Sequence, residues 1–199
     1  MHSRELIETY QSYVQDWRRH FHKYPELSNE EFETTKTLAK ELESMGVEVQ
    51  MDTERGTGLI GIIRGDKTGK AIALRADIDA LPVVEHNTFD FKSTVEGKMH
   101  ACGHDGHMAI LLGAAKMLMD MKDRIEGSVY LVFQPAEETG GGAQNFINFG
   151  NWFNEIDAIF GGHVWIDLPA GLVSVEEGPR MAASSLFNIN VKGKQGHGA

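Results

Sequence analysis

The sequence predicts an α/β fold in which helices flank a mixed, largely parallel sheet. Two helix-like segments, each with one apolar stripe, open the chain, and short continuous apolar runs follow them. Continuous apolar runs are typical of strands that are buried on both faces of a sheet. Three of these runs are followed at once by carboxylates or a histidine, and open α/β sheets keep their sites at this end of the strands.

The composition is that of a globular protein. The chain has 199 residues, of which 41% are hydrophobic and 24% are charged, enough for one good-sized core, or for one core and the beginning of a second. No apolar run is long enough to span a bilayer and residues 1–25 lack a secretory pattern, so we expect a cytoplasmic protein without a membrane partner. The net charge of −10 argues against a nucleic-acid partner, because phosphates would be repelled.

The first two elements are predicted to be amphipathic helices. The first covers residues 4–22 and ends before Pro25. Ser28 and Glu31 have the spacing of a capping box, which predicts the start of the second helix, and Gly46 is a suitable stop. The apolar stripe of the second helix comprises Phe32, Leu38, Ala39, Leu42 and Met45.

Three strands are predicted next, within VEVQM, GLIGIIRG and AIALRAD. The third ends at Asp77, and Asp79 follows it. Two carboxylates at the end of a buried strand indicate a site. Two turn aspartates before a proline would have the same spacing, so the spacing alone leaves both interpretations open.

The stretch from Met99 to His107 reads MHACGHDGH and combines three kinds of metal ligand. It contains the only cysteine, three of the nine histidines and one carboxylate: Cys102, His100, His104, His107 and Asp105. One cysteine excludes an internal disulfide and leaves the thiol available to a metal. A free cysteine beside surface histidines is the alternative, but this density favours a site for a divalent cation. A buried helix is predicted to follow over residues 108–121.

Two further strands end in polar residues. The run from Gly127 to Phe133 leads to Glu137 and Glu138, and the run from Asp157 leads to His163. Alone, His163 would more often be structural, but as a third member of a converging set it is predicted to be a ligand. Adjacent glutamates suggest that one holds metal while the other accepts a proton from the attacking water, which is the chemistry of metal-assisted amide hydrolysis.

A second domain is predicted to begin near residue 184. Residues 171–178 form a further β-rich run, and residues 186–192 alternate between polar and apolar side chains, as in a half-exposed strand. No closing element follows, so we expect the chain to be truncated.

Five motifs together carry a resemblance to a known family: ALRADIDALP, MHACGHDGH, FQPAEE, FGGHV and GKQGHGA. In this order they resemble the metal-dependent amidohydrolases of the aminoacylase/carboxypeptidase type, which include hippurate hydrolases, N-acyl-L-amino acid amidohydrolases and auxin–amino-acid conjugate hydrolases. The resemblance implies a metallopeptidase-like catalytic domain over residues 1–183. It implies that residues 184–199 begin a smaller α+β lid or dimerisation domain, through which the complete protein forms a homodimer.

The same resemblance assigns roles to residues. Cys102, His104, Glu138 and His163 match metal ligands, and Glu137 matches the general base. Two divalent metal ions are implied per complete subunit, with zinc or manganese expected and cobalt or nickel as alternatives. The substrate is expected to be an N-acyl amino acid or a small peptide.

Three positions complete the expected site. Asp79 matches an acid that orients a ligand, and Asp77 stands where the wider clan has a histidine. His197 matches a lid histidine that steadies the oxyanion, although GHGA replaces the usual GHAA. Family members continue beyond this point and supply one more metal-binding histidine. The alternative to an enzyme is therefore a non-catalytic metal-binding fragment that lacks this ligand.

Overall fold

The computed structural model describes residues 3–183, 185 and 187–198. They divide into two compact units, the first ending at Val164 and the second beginning at Trp165, and each is described by itself. All helices and strands of the described residues lie in the first unit.

Among the described residues, no helix combines the length and the apolar character needed to cross a bilayer.

The first unit contains the predicted elements in the predicted order. The strands and the long helices follow the predicted apolar runs and stripes, and a short helix before β5 is an addition. The elements are α1 (Ser3–Lys23), α2 (Phe32–Ser44), β1 (Glu48–Met51), β2 (Leu59–Arg64), β3 (Lys67–Asp77), α3 (His104–Asp120), β4 (Glu126–Gln134), α4 (Gly142–Phe146), α5 (Trp152–Glu155) and β5 (Ala158–Gly161).

The five strands form one mixed sheet in the order β1-β2-β4-β3-β5. The pairs β1–β2 and β2–β4 are antiparallel, whereas β3 pairs in parallel with both β4 and β5. Asp77 lies opposite Gln134, and Arg75 lies opposite Gly161. The carboxyl ends of β3, β4 and β5 therefore meet at one edge of the sheet, and the predicted mixed sheet is confirmed.

Helices cover both faces of the sheet, and each face has its own core. On one face α1, α2 and α3 pack against the sheet through residues such as Phe21, Leu42 and Leu112. On the other face the short helices α4 and α5 contribute Phe146 and Trp152. Continuous apolar strands suit this arrangement, because β2 and β4 and the second half of β3 are buried between the two cores.

Helix α3 begins at His104, four residues before the predicted start at residue 108. Its N-cap residue is Gly103, whose φ of 89° is readily adopted only by glycine. His104 and His107 are therefore helical, three residues apart on one face, and the prediction that the helix begins only after them was wrong.

The predicted capping box of α2 is also wrong. Helix α2 starts at Phe32, and neither the Ser28 side chain nor the Glu31 side chain bonds its first turn. The carboxylate of Glu26 caps it instead, accepting the N–H groups of residues 33 and 34 at 3.1 and 2.7 Å. The Ser28 hydroxyl donates to Asp79, and Glu31 accepts the N–H of Ala136. Both side chains therefore bond groups outside the helix that they were expected to cap.

The second unit contains neither a helix nor a strand in its described residues, 165–183, 185 and 187–198. The strands predicted over residues 171–178 and 186–192 are therefore not formed where they are described. A strand needs a neighbour to accept its hydrogen bonds, and Phe187, Ile189 and Val191 remain largely exposed. Residues 184 and 186 lie outside the described residues, and the domain boundary near 184 stays a prediction.

Packing against the turn after β4 makes Gly58 a sensitive position. A Cβ at Gly58 would lie 2.5 Å from Pro135 Cδ and 2.9 Å from Phe146 Cε2, whereas at Gly97 it would meet nothing within 4 Å. Both glycines have positive φ, 80° and 72°.

We expect Gly58→Ala to lower the free energy of unfolding by about 2–4 kcal/mol and Gly97→Ala by about 1 kcal/mol. Both changes carry the backbone cost of an alanine with positive φ, so their difference measures the contact alone. Urea denaturation measures both, and equal losses would show that Gly58 is not tightly packed.

Candidate metal centre

The predicted residues of the first unit converge at the carboxyl edge of β3, β4 and β5. Asp79 follows β3, Glu137 and Glu138 follow β4, and His163 follows β5. The N-terminus of α3 brings His104 to the same place. Parallel pairing explains this convergence, because the three strands end side by side.

His104 is buried at the centre of the site, and its hydrogen bonds determine which ring nitrogen is available. Its Nδ1 lies 2.8 Å from the carbonyl oxygen of Asp79 and 3.3 Å from Asp79 Oδ1, so Nδ1 carries the proton that is donated. Its Nε2 lies 3.7 Å from Glu138 Oε1. These two buried atoms have no hydrogen-bond partner among the described residues. An unpaired buried nitrogen facing an unpaired carboxylate oxygen fits a bound cation between them.

Cys102 and His163 form the outer part of the site. The Sγ atom of the half-buried Cys102 lies 3.5 Å from Nε2 of His163, and His163 Nδ1 donates to the Val164 carbonyl at 2.5 Å. That second bond leaves His163 Nε2 as the nitrogen with a lone pair.

Three groups of side chains present ligand atoms within 4.8 Å of one another, and all three include His104. Thiolate, imidazole and carboxylate ligands fit a divalent cation of the borderline type. The groups are Cys102, His104 and His163; His104, Glu137 and Glu138; and Asp77, His104 and His107.

The charges of the site favour a cation. Burial, and then the neighbouring charge of Glu138, raises the pKa of the Cys102 thiol to about 12. Burial alone would lower the pKa of His104, but its hydrogen bond to Asp79 and the charge of Asp77 outweigh burial and raise it. The neighbouring carboxylates contribute to both shifts, because their negative charge favours the protonated form of each group. A divalent cation would satisfy these carboxylates.

Asp77 and His107 form a buried pair whose role the sequence did not reveal. The Asp77 carboxylate accepts hydrogen bonds from His107 Nδ1 at 2.5 Å and from Arg75 at 2.7 Å. Burial alone would raise the pKa of Asp77, but these two partners lower it to about 2. The Nε2 atom of His107 accepts the N–H of Val164 at 3.0 Å. The pair thus links β3 and α3 to the segment that carries His163. In the sequence, the spacing of His104 and His107 was the feature that could have indicated this pair.

The remaining members of the MHACGHDGH stretch lie outside these groups. Asp105 accepts hydrogen bonds from His22 at 2.8 Å and from Arg18 at 3.0 Å. His100 is buried, and burial lowers its pKa to about 4, so the ring is neutral at physiological pH.

His197, the predicted oxyanion histidine, belongs to the second unit, and its assignment stays a prediction.

The chain is similar to known proteins. Residues 73–194 match the model of peptidase family M20/M25/M40. The chain is 48% identical over 192 residues to thermostable carboxypeptidase 1 of Saccharolobus solfataricus, which covers 94% of this chain and 49% of that protein. It is 41% identical over 197 residues to the N-acyl-L-amino acid amidohydrolase of Geobacillus stearothermophilus, covering 98% of this chain and 53% of that protein.

A solved structure agrees with these matches. The YXEP protein of Bacillus subtilis, described as a dinuclear metal-binding peptidase from the M20 family, superposes with a TM-score of 0.82 at 42% identity. The match covers 86% of this chain and 48% of that one. The chain thus spans about half the length of the relatives that it matches.

Metal content tests the outer ligands. We expect Cys102→Ala and His163→Ala to lower the metal bound per chain, measured by elemental analysis on protein purified without chelator. The exposed loop histidine His86 is the matched control, and His86→Ala should leave the content unchanged. Unchanged content in both site variants would show that the ligand set is wrong.

The raised thiol pKa also predicts how metal binding depends on pH. A thiol whose pKa is about 12 is protonated at neutral pH, so a metal must displace its proton. The apparent affinity for Zn²⁺ should therefore rise with pH, by about tenfold per pH unit for each proton released. Cys102→Asp supplies a ligand that is already ionised, so its slope should be smaller by one proton. Competition with a chromophoric chelator between pH 6.5 and 8.5 measures both slopes, and equal slopes would contradict the prediction.

Proposed function

The chain belongs to peptidase family M20/M25/M40, and from that premise we propose that it is the metal-binding part of a hydrolase. The bond that it splits is the amide bond of an N-acyl amino acid or a small peptide. The names of two relatives, a carboxypeptidase and an N-acyl-L-amino acid amidohydrolase, support this substrate class.

One observation carries the proposal. A buried nitrogen of His104 and a buried oxygen of Glu138 face each other at 3.7 Å without hydrogen-bond partners among the described residues, beside the exposed Glu137. A cation held by the buried pair would leave Glu137 in reach of solvent. A site that only stores metal has no use for that second carboxylate.

The ligands that we assign are Cys102, His104, Glu138 and His163, serving two divalent ions. Zinc or manganese is the proposed metal, with cobalt or nickel as alternatives, and the thiolate favours zinc. When bound, such ions supply Lewis acidity, which lowers the pKa of water from about 15.7 towards 7 and polarises an amide carbonyl.

The chain's own residues handle the proton and the positioning. Glu137 takes a proton from the attacking water and passes it to the nitrogen of the leaving amine. Asp79 orients His104, since its carbonyl and its carboxylate both contact Nδ1 of that ring. His197 is the proposed donor to the oxyanion.

The dimer formed through the lid and the cytoplasmic location stay predictions. A non-catalytic metal-binding role is the remaining alternative, and the pair of glutamates distinguishes it from an enzyme.

We expect Glu137→Gln to reduce hydrolysis of N-acyl amino acids by about 10²–10⁴-fold while the metal content stays unchanged, because the amide cannot accept the proton. Glu138→Gln is the matched change at the neighbouring position and should lose metal. Amine release from a panel of N-acyl amino acids gives the rate, and elemental analysis gives the metal. Metal loss in Glu137→Gln alone would mean that the two roles are exchanged, and a metal-loaded wild type without activity would favour the non-catalytic alternative.

A further inference from the structure

The turn that carries Glu137 and Glu138 has an unfavourable backbone conformation. Ala136 has a φ of 53°, in the left-handed region that residues with a side chain rarely adopt. Among the described residues, Asn29 is the only other non-glycine residue with positive φ. Asparagine tolerates this region better than alanine does, so Ala136 needs an external partner to hold it.

That partner is Glu31. Its Oε1 accepts the N–H of Ala136 at 2.8 Å, across a sequence separation of 105 residues. The Glu31 side chain is completely buried. The opposite side of the turn is closed as well, because a Cβ at Gly142 would lie 2.3 Å from the carbonyl oxygens of Pro135 and Ala136. The turn is therefore held between a carboxyl group and a close backbone contact.

Stability does not explain a carboxyl group at this position. Glu31 Oε2 is buried without a hydrogen-bond partner among the described residues. Burial raises the pKa of Glu31 to about 7, although the backbone N–H groups at the carboxyl, including that of Ala136, oppose the rise. Burying a polar group without full hydrogen bonding destabilises a fold. Glu31 also occupies the N-cap position of α2 without capping it, while Glu26 does so.

A second bond supports the same turn two residues later. The N–H of Glu138 donates to Asp79 Oδ2 at 3.0 Å, and that oxygen also accepts the Ser28 hydroxyl at 2.7 Å. Two side chains three residues apart, at 28 and 31, thus support the N–H groups at 136 and 138, directly or through Asp79.

We propose that Glu31 is a positioning residue, which by accepting the Ala136 N–H holds the left-handed turn that directs Glu138 to the metal and Glu137 to the substrate. The part that concerns Glu137 rests on the proposed function. The part that concerns Glu138 requires only that the site binds metal.

The test uses three variants, Glu31→Gln, Glu31→Leu and the control Glu26→Leu. It adds a second mutation, Ala136→Gly, which removes the backbone strain at residue 136. Glu31→Gln keeps an acceptor oxygen, so Zn²⁺ affinity and kcat should stay within about threefold of wild type. Glu31→Leu removes the acceptor and should lower both by about tenfold or more, with KM within about twofold. Adding Ala136→Gly to Glu31→Leu should recover at least a third of the loss, because glycine adopts the left-handed conformation unaided.

Glu26→Leu is the matched control, since it also removes a carboxylate that accepts backbone N–H groups beside α2. It should lower the urea midpoint but leave Zn²⁺ affinity and kcat near wild type, and Ala136→Gly should not relieve it. Chelator competition gives the affinity, and amine release from N-acyl amino acids gives kcat and KM. Should Glu31→Leu fail to fold, Glu31→Ala replaces it in the same scheme.

The outcomes separate the two proposals. If the wild type binds Zn²⁺ but hydrolyses nothing, the proposed function fails and the affinity series still judges Glu31. If the wild type binds no Zn²⁺, urea denaturation tests the role of Glu31 instead. Ala136→Gly should then raise the urea midpoint of Glu31→Leu but not that of Glu26→Leu. Equal losses in Glu31→Gln and Glu31→Leu, no recovery by Ala136→Gly, or wild-type behaviour of Glu31→Leu would each overturn the role of Glu31.

Discussion

Parallel pairing of β3 with both of its neighbours is the constraint on which the rest of the structure depends. It places the ends of β3, β4 and β5 side by side, so the short segments after them meet without any long excursion of the chain. Helix α3 connects β3 to β4 and begins at the same edge, which adds His104. A register shift of one residue in any strand would turn its site residue to another face.

The site is electrostatically incomplete without a cation. Asp77, Asp79, Glu137 and Glu138 lie near one another, and Arg75 is the cation bonded to Asp77. Burial together with this negative charge keeps the Cys102 thiol protonated, and the negative charge makes His104 hold its proton more firmly. A water-filled surface would tolerate such a cluster, but this one is largely buried. The arrangement therefore gains most from a doubly charged ion, which replaces protons as it binds.

Much of the fold and the site follows from the sequence, and the failures have physical causes. Short β-rich runs, most of them continuously apolar, identify the five strands, and the ligand-type residues after three of them predict the convergence at one edge. Ser28 and Glu31 were misread because the residue types of a capping box also suit long-range acceptors and donors, and spacing does not reveal which is used. The strands predicted in the second unit fail because alternation describes one strand alone, whereas a ladder needs two. The pairing of Asp77 with His107 depends on where α3 begins. The N-cap residue is Gly103, and a glycine does not mark a helix start in the sequence.

The separation of 105 residues between Glu31 and Ala136 also has a consequence during synthesis. At ribosomal rates of about 5–20 residues per second, Glu31 is made roughly 5–20 seconds before Ala136. Throughout that interval its carboxyl group has no backbone partner at position 136 and stays hydrated and ionised. The contact between Glu31 and the turn after β4 can therefore form only once the chain has been made through residue 136. Until then the start of α2 lacks a contact that the folded unit provides.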